Sequence, residues 1–204
     1  MGALTGKVAV VIGGHSGFGE AIVQRFHREG AQIAIAARRI DVVNAAASAV
    51  GGKGYQCDIT NNDEVAALIQ NVEKDFGRID IAVNCAGYEQ STPIAELTPE
   101  KLVAMQAVQF TGAIYCMQHF GNSMAASGGG AFLSISSETA HSPAIGLAAY
   151  GSSKAGVEYA TKIAAVEYGP KGVRFNCVAA GLIETPMTAR VFKVDYAIQA
   201  LTEL

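Results

Sequence analysis

The chain of 204 residues is 50% hydrophobic and 16% charged, with 15 Lys+Arg against 18 Asp+Glu and a formal charge of −3. That composition excludes a disordered chain and supplies enough apolar material for a core without disulfide or metal staples. With no run of basic residues the electrostatic footprint of a nucleic-acid or anionic-membrane binder is missing, so neither partner is expected. No linker, repeat or low-complexity tract divides the chain, and one unit over residues 1–204 is the economical organisation. Cys57, Cys85, Cys116 and Cys177 lie far apart with no C-x-x-C pair. They read as free thiols of a reducing compartment, and no metal site is expected. The first apolar stretch, ended by Gly13-Gly14, is too short for a signal peptide or a membrane span, which points to the cytoplasm.

Residues 7–12 form an apolar run, and residues 19–28 then place Ala21, Ile22, Val23 and Phe26 at helical spacing. The pattern predicts a strand, a turn and a helix. Further strands are expected at 32–37, 55–58 and 79–84, separated by an alanine-rich helix over 42–50 and a helix that Asn61 or Asn62 caps and Phe76 ends. Thr98-Pro99-Glu100 signals a helix start, with Thr98 as cap and proline at the first helical position. That helix is expected to run unbroken to about Met124. Strands at 131–135 and 173–178 flank a helix over 149–168, which Gly169-Pro170 stops. Short, fully apolar strands between helices require a parallel sheet covered on both faces. A doubly wound, Rossmann-type α/β unit with strand order 3-2-1-4-5-6 follows.

Between the first strand and the first helix stands Gly13-x-x-x-Gly17-x-Gly19, enclosing His15, Ser16 and Phe18. Glycines there let the backbone approach a pyrophosphate, and the helix N-terminus offers free N–H groups. The second signal is Tyr150-x-x-x-Lys154. Four residues apart on a helix share a face, and a nearby ammonium favours the phenolate of a tyrosine whose ordinary pKa is about 10.

With Cys57-Asp58-Ile59-Thr60, Asn84-Cys85-Ala86-Gly87, Ile135-Ser136-Ser137 and residues 176–185, the sequence resembles the short-chain dehydrogenase/reductase family over essentially its whole length. The resemblance implies an NAD(P)-dependent oxidoreductase that moves a hydride between nicotinamide C4 and an alcohol or carbonyl carbon. It implies Tyr150 as general acid/base, and Lys154 as the group that lowers its pKa and binds ribose. Ser137, thirteen residues before the tyrosine, is implied as donor to the substrate oxygen. Cofactor contacts are implied for the Gly13–Gly19 turn, for Asp58 and Ile59 at the adenine, for Asn84, Ala86 and Gly87 along the adenosine ribose, and for Gly181, Ile183 and Thr185 at the nicotinamide.

Departures from the family pattern accompany the likeness. Gln109 stands where the family has the asparagine that holds a relay water for the lysine, and its extra methylene is expected to place that water differently. Ile12 replaces a common threonine and Ala180 a common proline. The family continues into a seventh strand beyond the equivalent of Leu204, so either that edge is missing here or the sequence is a piece of a longer chain.

Ala37-Arg38-Arg39 ends the second strand, where NAD-dependent members carry an acidic residue. A guanidinium binds the 2′-phosphate that a carboxylate would repel, which favours NADP, with NAD left open through Asp41. Tyr88, Glu138, His141, Leu147, Leu182 and Met187 follow motif ends at the carboxyl edge of the sheet and are candidate pocket residues, although His141 reads more simply as a surface histidine. A small to medium apolar alcohol or carbonyl compound suits them better than a sugar phosphate. A silent NADP-binding sensor or scaffold is the rival reading. Val157, Ala160, Thr161, Ala164, Ala165 and Tyr168 on the helix over 149–168 exceed what one sheet contact covers, and the resemblance implies that Met105, Val108, Tyr115 and Met117 of the helix after Thr98 join them. In the resembling family these helices pair about a two-fold axis, so a homodimer or homotetramer is expected.

Overall fold

β1 (Val8–Ile12) is buried along its whole length because it lies between two parallel neighbours with helices over both faces. The other strands are β2 (Gln32–Ala37), β3 (Lys53–Gln56), β4 (Ile81–Asn84), β5 (Gly130–Ser137) and β6 (Val173–Ala180). They form a six-stranded sheet in the order β3-β2-β1-β4-β5-β6, every pair parallel. This is the expected Rossmann-type order. The computed structural model describes residues 2–189 and 192, and the expected loss of a seventh strand lies outside them.

Helices α1 (Gly17–Arg28) and α2 (Ile40–Ser48) cover one face over Val11, Ile33 and Ile35. The opposite face, over Val10, Ile12 and Phe132, is covered by α3 (Asn62–Phe76), α5 (Gly112–Ala126) and α6 (Ala148–Tyr168), while α4 (Pro99–Gln106) leads into α5. Local chemistry sets the ends of these helices. The Asn61 side chain accepts from the Asp63 and Glu64 N–H groups, and Thr98 accepts from Lys101 N. Among the described residues no helix is long and apolar enough to cross a membrane.

Several boundaries differ from the sequence reading. β3 covers 53–56 rather than 55–58, because Asp58 leaves the sheet to accept from Thr60 N and Oγ1 at 3.0 and 2.8 Å. α2 starts at Ile40 rather than residue 42. The helix after Thr98 is not continuous: a π-helical turn over Ala107–Thr111 separates α4 from α5 and turns Gln109 inward. β5 and β6 both run further than expected, paired from Gly130↔Val173 to Ser137↔Ala180. That pairing holds Ser137 on a rigid element. The residues expected at a helix-pair interface also face elsewhere: Met105, Met117, Val157, Thr161 and Ala164 are buried in this chain's own interior. Val108, Tyr115, Ala160, Ala165 and Tyr168 pack against the same core. Periodicity identifies an apolar stripe but not what covers it.

Phe132 anchors the core of the α5–α6 side, its ring 5.9 Å from that of Phe120 and 5.3 Å from that of Phe175. Phe132→Ala is expected to cost about 3–5 kcal/mol in urea unfolding. A loss below about 1 kcal/mol would show that neighbouring side chains collapse into the space.

Candidate active site

The carboxyl ends of the strands open into a cleft of about 1480 Å³, where doubly wound sheets bind ligands. One end is the turn between β1 and α1. Gly13 and Gly17 have φ of 77° and 54°, left-handed values that glycine adopts without strain. A Cβ on Gly19 would lie 2.2 Å from the Gly13 carbonyl oxygen. His15 Nδ1 is buried there without a partner. Burial lowers the His15 pKa, the Arg39 charge lowers it further, and Glu20 opposes both. A cradle that a side chain would fill, an orphaned buried nitrogen and an open helix N-terminus together fit a dinucleotide phosphate. Arg38 and Arg39 line this end, whereas Asp41 sits in the first turn of α2 and does not.

Toward the other end, β5 delivers Ser137, and α6 delivers Tyr150 and Lys154. Three consecutive β5 residues are each held by α6. Lys154 Nζ donates to the Ile135 carbonyl at 2.8 Å, Ser136 Oγ donates to Glu158 Oε1 at 2.7 Å, and Ser137 hydrogen-bonds Tyr150. Lys154 Nζ lies 5.5 Å from the centroid of the Tyr150 ring. Burial pushes the Lys154 ammonium down to about 8, with Cys85 opposing, so it is still mostly protonated at neutral pH. Burial raises the Tyr150 phenol above its ordinary value, the Ser137 hydrogen bond draws it partly back, and the Glu89 charge adds to the rise. The lowering expected from Lys154 is not among these causes. The ammonium lies over the ring and donates to Ile135, while the phenol sits in a desolvated seam beside a carboxylate.

Gln109, 2% exposed, donates from Nε2 to the Tyr88 carbonyl, and its Oε1 is buried without a partner. The long amide thus reaches across to the loop after β4. Nearly every other residue implied by the resemblance lines the cleft, from His15, Ser16 and Phe18 through Ile59, Ala86 and Gly87 to Gly181, Ile183 and Thr185. Asn84 does not: it is buried, and its Oδ1 accepts from Ala86 N at 3.1 Å, capping the turn beneath the cleft. Asp58 lines the cleft with one carboxylate oxygen engaged by Thr60. Tyr88, Glu138, Leu147, Leu182 and Met187 line the cleft as expected. His141 lies instead on a smaller neighbouring groove of about 620 Å³, with Nε2 2.8 Å from Glu158 Oε2.

Sequence reasoning missed Glu89, Ser91 and Ile145, which enter the cleft from loops with no motif to mark them. It also missed Glu158, whose place one turn beyond Lys154 was the available signal.

A family model described as short chain dehydrogenase matches residues 7–195. The chain belongs to the short-chain dehydrogenase family. D-threitol dehydrogenase of Mycolicibacterium smegmatis is 34% identical over 189 residues, 90% of this chain and 73% of that protein. A short-chain type dehydrogenase/reductase from Mycobacterium ulcerans superposes with a TM-score of 0.92 at 29% identity, covering 96% of this chain and 74% of that one. An NAD+-bound xylitol dehydrogenase superposes with a TM-score of 0.88 at 26% identity, covering 94% and 75%. As a member of this family the protein is an oxidoreductase that uses a nicotinamide cofactor on alcohols or carbonyl compounds.

In a short-chain dehydrogenase with this turn, Gly19→Ala forces the β1–α1 backbone apart, an overpacking that costs about 1–3 kcal/mol. Dinucleotide affinity is expected to fall by about ten- to hundredfold, read by fluorescence titration with the reduced cofactor. Undiminished affinity would show that the turn does not hold the phosphates.

Proposed function

We propose that this protein is an NADP-preferring dehydrogenase/reductase in which Tyr150 transfers the proton, Ser137 donates a hydrogen bond to the substrate oxygen and Lys154 supplies positive charge beside the phenol. The observation that carries the reading is the meeting of Ser137, Tyr150 and Lys154 at one end of a cleft whose other end is the glycine cradle. When bound, the cofactor supplies or accepts the hydride, while the protein holds and orients. Gly13, Ser16, Gly17 and Gly19 would receive the phosphates, and Lys154 and Gly181 to Thr185 would border the nicotinamide half. In the direction of reduction Ser137 steadies the oxygen as negative charge grows on it, and Tyr150 delivers its proton there. Its raised pKa keeps that proton in place at neutral pH. Oxidation needs the phenolate, so the oxidation rate should climb with pH.

Arg38 and Arg39 at the adenosine end, with Asp41 off the cleft, support NADP. The NAD+-bound neighbour is the counterweight. Glu89 and Glu138 on the substrate side disfavour anionic substrates, and Ile145, Leu147 and Met187 add apolar surface. Together they support an uncharged small to medium alcohol or ketone, in keeping with the polyols that name two relatives. Four free cysteines support a reducing, cytoplasmic setting. A homodimer is supported by the outward apolar side chains of α4 and α6, where Val103, Tyr159, Ile163 and Val166 are exposed.

Tyr150→Phe keeps the ring and removes the exchangeable proton. Cofactor binding should persist while turnover on a panel of uncharged ketones falls about 10²–10⁴-fold; equal turnover would remove Tyr150 from the role, and a wild-type protein that binds cofactor but reduces nothing would favour the sensor reading. Wild-type protein should bind NADPH more tightly than NADH, and Ala37→Asp combined with Arg38→Leu should reverse the order. NADH binding at least as tight in the wild type would overturn the cofactor assignment.

A further inference from the structure

Resting on that reading of Ser137 and Tyr150, we propose that Glu158 is a positioning residue for the reaction: it ties the residues on both sides of Ser137 to the helix that carries Tyr150. Glu158 is 8% exposed on α6, in the seam between the helix and the sheet. One carboxylate oxygen accepts from Ser136 Oγ at 2.7 Å, and the other pairs with His141 Nε2 at 2.8 Å. Ser136 immediately precedes Ser137, and His141 follows the short 3-10 turn Glu138–Ala140 that Ser137 opens. The segment bearing the hydrogen-bond donor is therefore gripped at both ends by one side chain.

Stability alone is a poor reason for this arrangement. Taking a carboxylate out of water carries a penalty that its bonds repay only in part, and an apolar side chain of similar volume in such a seam is commonly neutral or stabilising. A buried, doubly bonded carboxylate does provide direction. Tyr150, Lys154 and Glu158 recur every four residues along one face of α6 and bind Ser137, Ile135 and Ser136 respectively. Without the Glu158 contact, β5 keeps its pairing with β6, but its last residues and the turn after them lose their lateral tie to the helix. The Ser137 hydroxyl would then sample positions away from the Tyr150 oxygen. Small misplacements of this kind lower the rate without removing any reacting group.

The test uses Glu158→Leu, Ser136→Ala and Glu158→Gln in the full chain, assayed with NADPH and whichever uncharged ketone of the panel turns over best. Glu158→Leu and Ser136→Ala should each lower kcat by about ten- to hundredfold, with cofactor affinity and thermal midpoint little changed. Glu158→Gln, which keeps an acceptor for Ser136, should recover most of the rate. In a Ser137→Ala background Glu158→Leu should cause no further loss, and hydrogen exchange should speed up in residues 135–142 alone. Unchanged kcat and exchange in both Glu158→Leu and Ser136→Ala would overturn the proposal, as would a loss that persists undiminished in the Ser137→Ala background. Should Glu158→Leu fail to fold, Ser136→Ala and Glu158→Gln decide on the same readouts. Tyr150→Phe run alongside separates the two levels: if it leaves turnover intact, the assignment of the active site has failed rather than the role of Glu158.

Discussion

The seam between β5 and α6 is the constraint on which the meeting of Ser137, Tyr150 and Lys154 depends. A helix packed on a sheet by apolar contacts alone can slide or rotate by small amounts at little cost, since such contacts have no direction. Here three directional bonds cross the seam: Lys154 donates to the Ile135 carbonyl, Ser136 donates to Glu158, and Ser137 meets Tyr150. Beneath them the Phe132 and Phe175 rings pack in a tilted pair and the β5–β6 pairing runs unbroken to Ser137. Ser137 and Tyr150 therefore come from different parts of the chain yet are held side by side across one seam.

The other half of the cleft is built by a contrasting device. Around the β1–α1 turn the structure leaves side chains out, at Gly13, Gly17 and Gly19, so that backbone N–H groups come to the surface of the cradle. The two halves meet because β1, β4 and β5 are neighbours in the sheet although distant in sequence. Their carboxyl ends share one edge, and the crossover from α1 and α2 on one face to α3, α5 and α6 on the other opens the crevice there.

Gln109 shows how a departure from the family pattern is absorbed. A π-helical turn carries it inward, its amide nitrogen reaches Tyr88 O, and the remaining oxygen is left buried without a partner. An unsatisfied buried acceptor is destabilising, and such atoms persist where something beyond packing holds them. The side chain joins the loop bearing Tyr88 and Glu89 to the helical layer behind the cleft.

Much of this was legible in the residues themselves. Six short apolar runs between amphipathic segments admit one kind of sheet, because an apolar strand must be covered on both faces. The glycine spacing after β1 and the Tyr150-Lys154 pair marked both ends of the cleft, since each reflects local geometry within one turn of helix. Boundaries drifted where a polar side chain chose a local bond over the sheet, as Asp58 did with Thr60. The burial of Asn84 under its own turn, the outward side of α4 and α6, and the entry of Glu89 into the cleft depended on which distant elements pack together. The Tyr150 pKa went the same way: from spacing alone Lys154 should lower it, whereas in the packed seam burial sets the direction and raises it. Sequence determines which side chains share a face, because helical and strand periods are properties of the local backbone; what those faces meet, and how much water is left between them, is decided only when the layers close.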